Sequence, residues 1–210
     1  MFAFAIHDID VDFIQALKSA GLNDLTADQI TAAGIHDVDA DYIKAFQTAG
    51  FEHLDFDNLI GFAIHDVDVE YIKALQAGGL GNLTPDQITS AAIHDVDVGY
   101  IKEFQAAGFT DLNFDNLVGF AIHDVDVEYI QELKAAGLTD LSADEITGFA
   151  IHDVDADFIN SFRKHGYSGL SNDQIVGFAI HDVDADFIKS IKDLGFKKVD
   201  ADILTAMKVH

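Results

Sequence analysis

One spacing constrains this chain more than any other feature. Ile-His-Asp recurs at His7, His36, His65, His94, His123, His152 and His181, always 29 residues apart, and the final His210 falls on the same beat. No insertion or deletion breaks the rhythm. A period of this size belongs to arrays of small supersecondary units, each burying its apolar face against the next. The repeats run 7–35, 36–64, 65–93, 94–122, 123–151, 152–180 and 181–209, with 1–6 the tail of a preceding partial unit. They are expected to form a single repeat domain over 1–210, and function has to be read from the columns of the repeat.

Each repeat carries the signals of two short helices. In the second repeat, Asp39 stands as N-cap of the first helix, before Ala40-Asp41-Tyr42-Ile43, and Gly50 closes the segment. An aspartate cap, an acid in the first turn and a glycine just past the end mark a helix. Glycine fills that closing column throughout: Gly21, Gly50, Gly79, Gly108, Gly137, Gly166 and Gly195. The other helix opens, in the third repeat, with Leu83-Thr84-Pro85-Asp86-Gln87. Thr84 is its N-cap, Pro85 suits the first helical position and Gln87 completes a capping box. Ile88, Ala91 and the isoleucine before each histidine are expected to continue its apolar stripe. Helices this short need their neighbours to be stable. The expected fold is all-α: an α-solenoid, a right-handed superhelix of seven helix-turn-helix repeats.

The formal charge of −25, from 37 acidic and 12 basic residues, excludes some classes of partner. Nucleic acid and anionic lipid demand a basic stripe that is lacking here. Basic protein or peptide surfaces, and cations, are favoured on charge alone. No stretch approaches the ~20 apolar residues of a membrane span, so no membrane insertion is expected. The chain reads as soluble and, if complete, cytoplasmic. Without cysteine there are no disulfides or thiolate metal sites.

Two segments carry a family resemblance: Asp184–Phe196 (DADFIKSIKDLGF) and Val199–His210 (VDADILTAMKVH). They resemble the helical repeats appended to bacterial antibiotic-sensing membrane zinc peptidases and related regulators. The resemblance extends repeat by repeat over the chain but concerns the repeats alone. The peptidase signature His-Glu-x-x-His is absent, so no peptidase activity is implied. This chain departs from that pattern in three columns. The family glycine after histidine is aspartate, and the family threonine N-cap is also aspartate. The basic residue before Ile-His has become Ala5, Gly34, Ala63, Ala92, Ala121, Ala150 and Ala179, with only Lys208 keeping the basic type. The resemblance implies a structural histidine, while the aspartates are this chain's own addition.

The repeated His-Asp-x-Asp column therefore has two readings. In the structural one, the histidine hydrogen-bonds a helix end or the adjacent unit and the second aspartate caps a helix. In the chemical one, each repeat offers a histidine and carboxylates to a divalent cation. The candidate ligands are His7, Asp8 and Asp10; His36, Asp37 and Asp39; His65, Asp66 and Asp68; His94, Asp95 and Asp97. The series continues with His123, Asp124 and Asp126; His152, Asp153 and Asp155; His181, Asp182 and Asp184. One histidine with carboxylates suits Zn, Mn, Ni or Co better than calcium, whose loop needs a glycine and a distal glutamate absent here. Divalent cations are thus the one candidate cofactor, and none is required.

Small residues at Gly61, Ser90, Gly119, Gly148 and Gly177 interrupt the second helix, where glycine costs up to about 1 kcal/mol relative to alanine. Close helix approach is the expected reason, and a smooth partner-binding surface the alternative. The adjacent Phe4, Phe62, Phe120, Phe149 and Phe178 are expected in the core. Seven near-equivalent units argue against an enzyme, whose chemistry needs one asymmetric constellation. The expected role is a non-enzymatic scaffold for protein interaction or for self-assembly end to end, with multivalent cation binding as the alternative.

Overall fold

A computed structural model describes residues 9–51, 54–196 and 198–209. Fourteen helices and no strand occur among them, so the protein is an all-α helical-repeat solenoid. The helices are α1 Val11–Ser19, α2 Ala27–Ile35, α3 Ala40–Thr48, α4 Phe56–Ile64, α5 Val69–Ala77, α6 Pro85–Ile93 and α7 Val98–Ala106. They continue as α8 Phe114–Ile122, α9 Val127–Ala135, α10 Ala143–Ile151, α11 Ala156–Arg163, α12 Asn172–Ile180, α13 Ala185–Asp193 and α14 Ala201–Val209. The chain divides into two compact units, 1–102 and 103–210.

Within each unit helices stack on their next-but-one neighbours. In the first unit α1 packs on α3, α2 on α4 and α4 on α6; in the second, α8 packs on α10, α10 on α12 and α12 on α14. Odd-numbered helices thus form one row and even-numbered helices another. The rows meet over aromatic rings: Phe46 of α3 lies 5.4 Å from Phe62 of α4, and Phe162 of α11 lies 5.6 Å from Phe178 of α12. Phe62, Phe120, Phe149 and Phe178 are fully buried, as their helical spacing requires, while Phe4 lies outside the described residues.

The helix boundaries follow from local chemistry. Aspartates cap the odd row, as where the Tyr42 backbone N–H donates to Asp39 Oδ1 at 2.7 Å. Thr84 and Gln87 form the expected capping box on α6, with Pro85 at its first position. At the end of α3, Gly50 adopts φ +94° and the Phe51 N–H donates back to the Phe46 carbonyl at 2.9 Å. This left-handed closure satisfies carbonyls that have no partner within the helix.

One expectation fails. The isoleucine before each histidine does not join the core: Ile35, Ile64, Ile93, Ile122, Ile151 and Ile180 are 47–50% exposed. Each sits two residues beyond the buried phenylalanine or alanine, about 200° around a helix of ~3.6 residues per turn. The stripe that includes Ile88 and Ala91 therefore points away from Ile93.

Candidate functional site

The His-Asp-x-Asp segment is the hinge between an even helix and the following odd one. His36, His65, His94, His123, His152 and His181 are C-cap residues and partly buried. The first aspartate takes the left-handed conformation, with φ of 51–55° at Asp37, Asp66, Asp95, Asp124, Asp153 and Asp182. After α6, the Asp95 N–H donates to the Ala92 carbonyl and the Val96 N–H to the Ala91 carbonyl. That pair of bonds is the same closure that glycine makes on the odd row. Aspartate tolerates the conformation, though glycine adopts it with less strain. The intervening Val38, Val67, Val96, Val125, Val154 and Val183 are buried. The second aspartate caps the next helix at all seven positions: Asp10, Asp39, Asp68, Asp97, Asp126, Asp155 and Asp184 each accept a backbone N–H at 2.6–2.8 Å.

One expected feature of this column is corrected. No hydrogen bond joins any of the six described histidine rings to another described residue, so the rings are not the link between repeats. His7 and Asp8 lie outside the described residues.

On the even row, Asn172 Nδ2 donates to Glu145 at 2.8 Å and Gln174 Nε2 to Asp202 at 3.0 Å, and further links come from two columns of the odd row that spacing did not single out. The Tyr42 hydroxyl donates to the Val67 carbonyl at 3.1 Å, Tyr71 to Val96 at 2.9 Å and Tyr129 to Val154 at 2.7 Å. Each tyrosine thus reaches from one odd helix into the hinge of the next repeat. Burial, then Asp97 and Asp95, push the Tyr71 phenol up to about 12. Tyr42 and Tyr129 are raised for the same reasons, by burial and then by Asp68 with Asp66 and Asp155 with Asp153. In the other column, Gln47 Nε2 donates to the Ala20 carbonyl at 2.8 Å, Arg163 to Ala136, and Lys192 Nζ to His165 at 2.5 Å. These donors satisfy the carbonyl end of the preceding odd helix. The mixture of Lys, Gln and Arg one period apart was the available signal: all three are long donors.

Neighbouring hinges in the second unit enclose a cavity of about 210 Å³ lined by His123, Asp124, Tyr129, Ala150, Asp153 and Asp155. It brings together acids and a histidine from two repeats. Yet among the described residues no three of His, Asp and Glu are grouped so as to hold a metal ion. Asp155 is also engaged as a cap.

The glycine column is a second correction. A Cβ built on Gly61 or Gly119 meets only a threonine at 3.7–3.8 Å, an ordinary contact, and on Gly148 or Gly177 it meets nothing within 4 Å. Close helix approach does not explain these glycines. They lie instead on the outer face of the even row. On α12, Asp173, Val176, Gly177 and Ile180 share one face by helical spacing. A groove of about 250 Å³ over Gly148 runs between α10 and α12, with Asp144, Asn172, Asp173 and Val176 among its walls. None of α2, α4, α6, α8, α10 or α12 contains a lysine or arginine.

No helix of the described residues is long and apolar enough to cross a membrane. No protein-family model matches the chain, and neither a curated protein nor a solved structure matches it.

Proposed function

We propose that this chain is a non-enzymatic repeat scaffold that binds protein or peptide segments along the outer face of its even helices. The observation that carries the reading is the column of exposed isoleucines, one per repeat, beside glycines that no neighbour needs. Exposed aliphatic side chains at a fixed period form an apolar surface, which folding leaves unburied and a partner can cover. Random-peptide display tests it. Selection on the wild-type chain should enrich sequences that fail to bind the variant carrying Ile122→Gln, Ile151→Gln and Ile180→Gln. Equal recovery on both proteins would sink the reading. Self-association belongs to the same reading and is supported by Leu194, Phe196 and Met207, which are 73%, 55% and 42% exposed in the last repeat. Sedimentation velocity over a range of concentrations checks it.

A second reading assigns divalent cations to the hinge column, and the cavity shared by His123, Asp124 and Asp153 favours it. The commitment of every second aspartate to helix capping weighs against it. Calorimetric titration with Zn, Ni, Mn and Ca, repeated on histidine-to-alanine variants, separates the two readings.

A further inference from the structure

We propose that the partner of the even-helix face is a cationic amphipathic segment: its apolar residues cover the isoleucines and glycines, and its lysines or arginines meet two rows of aspartate. The proposal rests on the scaffold reading and adds the chemistry of the partner.

Three observations carry it. The first is charge placement. In the second unit, Asp115, Asp144 and Asp173 are exposed in the first turns of α8, α10 and α12, seven residues before Ile122, Ile151 and Ile180. Seven residues is two helical turns, so each acid lies on the same face as its isoleucine, about 10 Å away at 1.5 Å per residue. At the opposite end Asp124, Asp153 and Asp182 are exposed two residues after each isoleucine. The apolar column thus runs between two acidic rows. The first unit repeats the arrangement, with Asp28, Asp57 and Asp86 on one side of Ile35, Ile64 and Ile93, and Asp37, Asp66 and Asp95 on the other. No cation on these helices offsets either row.

The second observation concerns the hinge aspartates. Their backbone is left-handed, where glycine fits with less strain. That strain destabilises the isolated protein, and no hydrogen bond joins these carboxylates to another described residue. A bound cation compensates the charge.

The third observation is the glycine column, which lowers helix stability at Gly148 and Gly177 without admitting any neighbour. It leaves a groove between α10 and α12, whose walls the bond from Asn172 Nδ2 to Glu145 joins at 2.8 Å and whose remaining space over Gly148 side chains of a partner can enter.

The test uses the full chain and three synthetic helical peptides followed by fluorescence anisotropy at physiological salt. One is built of leucine and lysine, one of leucine and glutamate, and one keeps the lysines but replaces leucine by glutamine. Saturable binding is expected for the leucine–lysine peptide alone. Ile122→Gln with Ile151→Gln and Ile180→Gln should weaken it by at least about tenfold, as central interface residues do. Asp124→Gly with Asp153→Gly and Asp182→Gly should weaken it similarly, and glycine suits the backbone there, so folding is preserved. Lys189→Gln, on α13, should change nothing. Equal binding of the lysine–glutamine peptide, or indifference to both triple variants, overturns the proposal as unspecific charge attraction. Binding of the leucine–glutamate peptide that depends on the isoleucines overturns the cationic partner while leaving the scaffold intact. No binding to the wild type also overturns it, and the display selection then judges the scaffold reading separately.

Discussion

The odd and even rows come from the same repeat but present opposite surfaces. Odd helices contribute most of the side-chain bonds between repeats, from the tyrosine hydroxyls to hinge carbonyls and from Gln47, Arg163 and Lys192 to helix ends, while Asn172 and Gln174 add two on the even row. They also hold most of the basic residues, including Lys44 and Lys73, each beside an acid one turn away. Even helices α2 to α12 carry no lysine or arginine, and their outer faces hold glycine and exposed isoleucine. Both rows build the stack, but the outer face of the even row is left plain and acidic. Stability and binding are therefore separable by the face of the even helices, which makes the comparison breakable.

The largest effect tests burial. Phe149→Ala, at a fully buried site, should lower the unfolding free energy by about 3–5 kcal/mol, whereas Ile151→Ala two residues on should cost less than about 1 kcal/mol. Denaturant titration measures both, and equal losses would erase the distinction between core stripe and outer face. Next come the hinge and the odd-row link. Asp68→Ala removes a cap and Tyr71→Phe an inter-repeat hydrogen bond, each expected to destabilise by about 1 kcal/mol. Asp66→Gly should stabilise or leave stability unchanged, because only its backbone conformation is in use. A marked loss would reveal a structural role for that carboxylate.

A smaller effect has the opposite sign. Gly148→Ala should raise thermal stability, by about 0.5–1 kcal/mol, since its Cβ meets open space in a helix interior. A loss would restore the packing explanation for the glycines. The last effect is silent at neutral pH. The Tyr71 phenol, ordinarily near 10, is raised to about 12, so the folded state holds this proton more tightly. Its contribution is complete below pH 10 and is lost as the pH rises through about 12. Tyrosinate absorbance should show a delayed titration that reverts toward the ordinary value on unfolding.

Much of the architecture was legible in local residues. Asp39, Thr84, Pro85 and Gly50 announce helix ends because capping depends on a few adjacent atoms. The candidate site was legible only in part. The hinge aspartates stood out because they recur in every repeat, but the left-handed φ of Asp66 explains how one is accommodated, and the bond from the Tyr71 N–H how Asp68 is used. Ile93 was misplaced because an apolar residue at a helix end reads as core until the direction of the stripe is known.

By itself the sequence determined the period, the two helices of each repeat, their caps and the overall acidity, all of them consequences of local chemistry and composition. The tertiary structure decided which apolar residues face outward, which donors bridge repeats and whether the glycines are crowded. Those questions depend on where the next repeat lies, and that is set by the packing of whole helices, beyond the reach of any one repeat's residues.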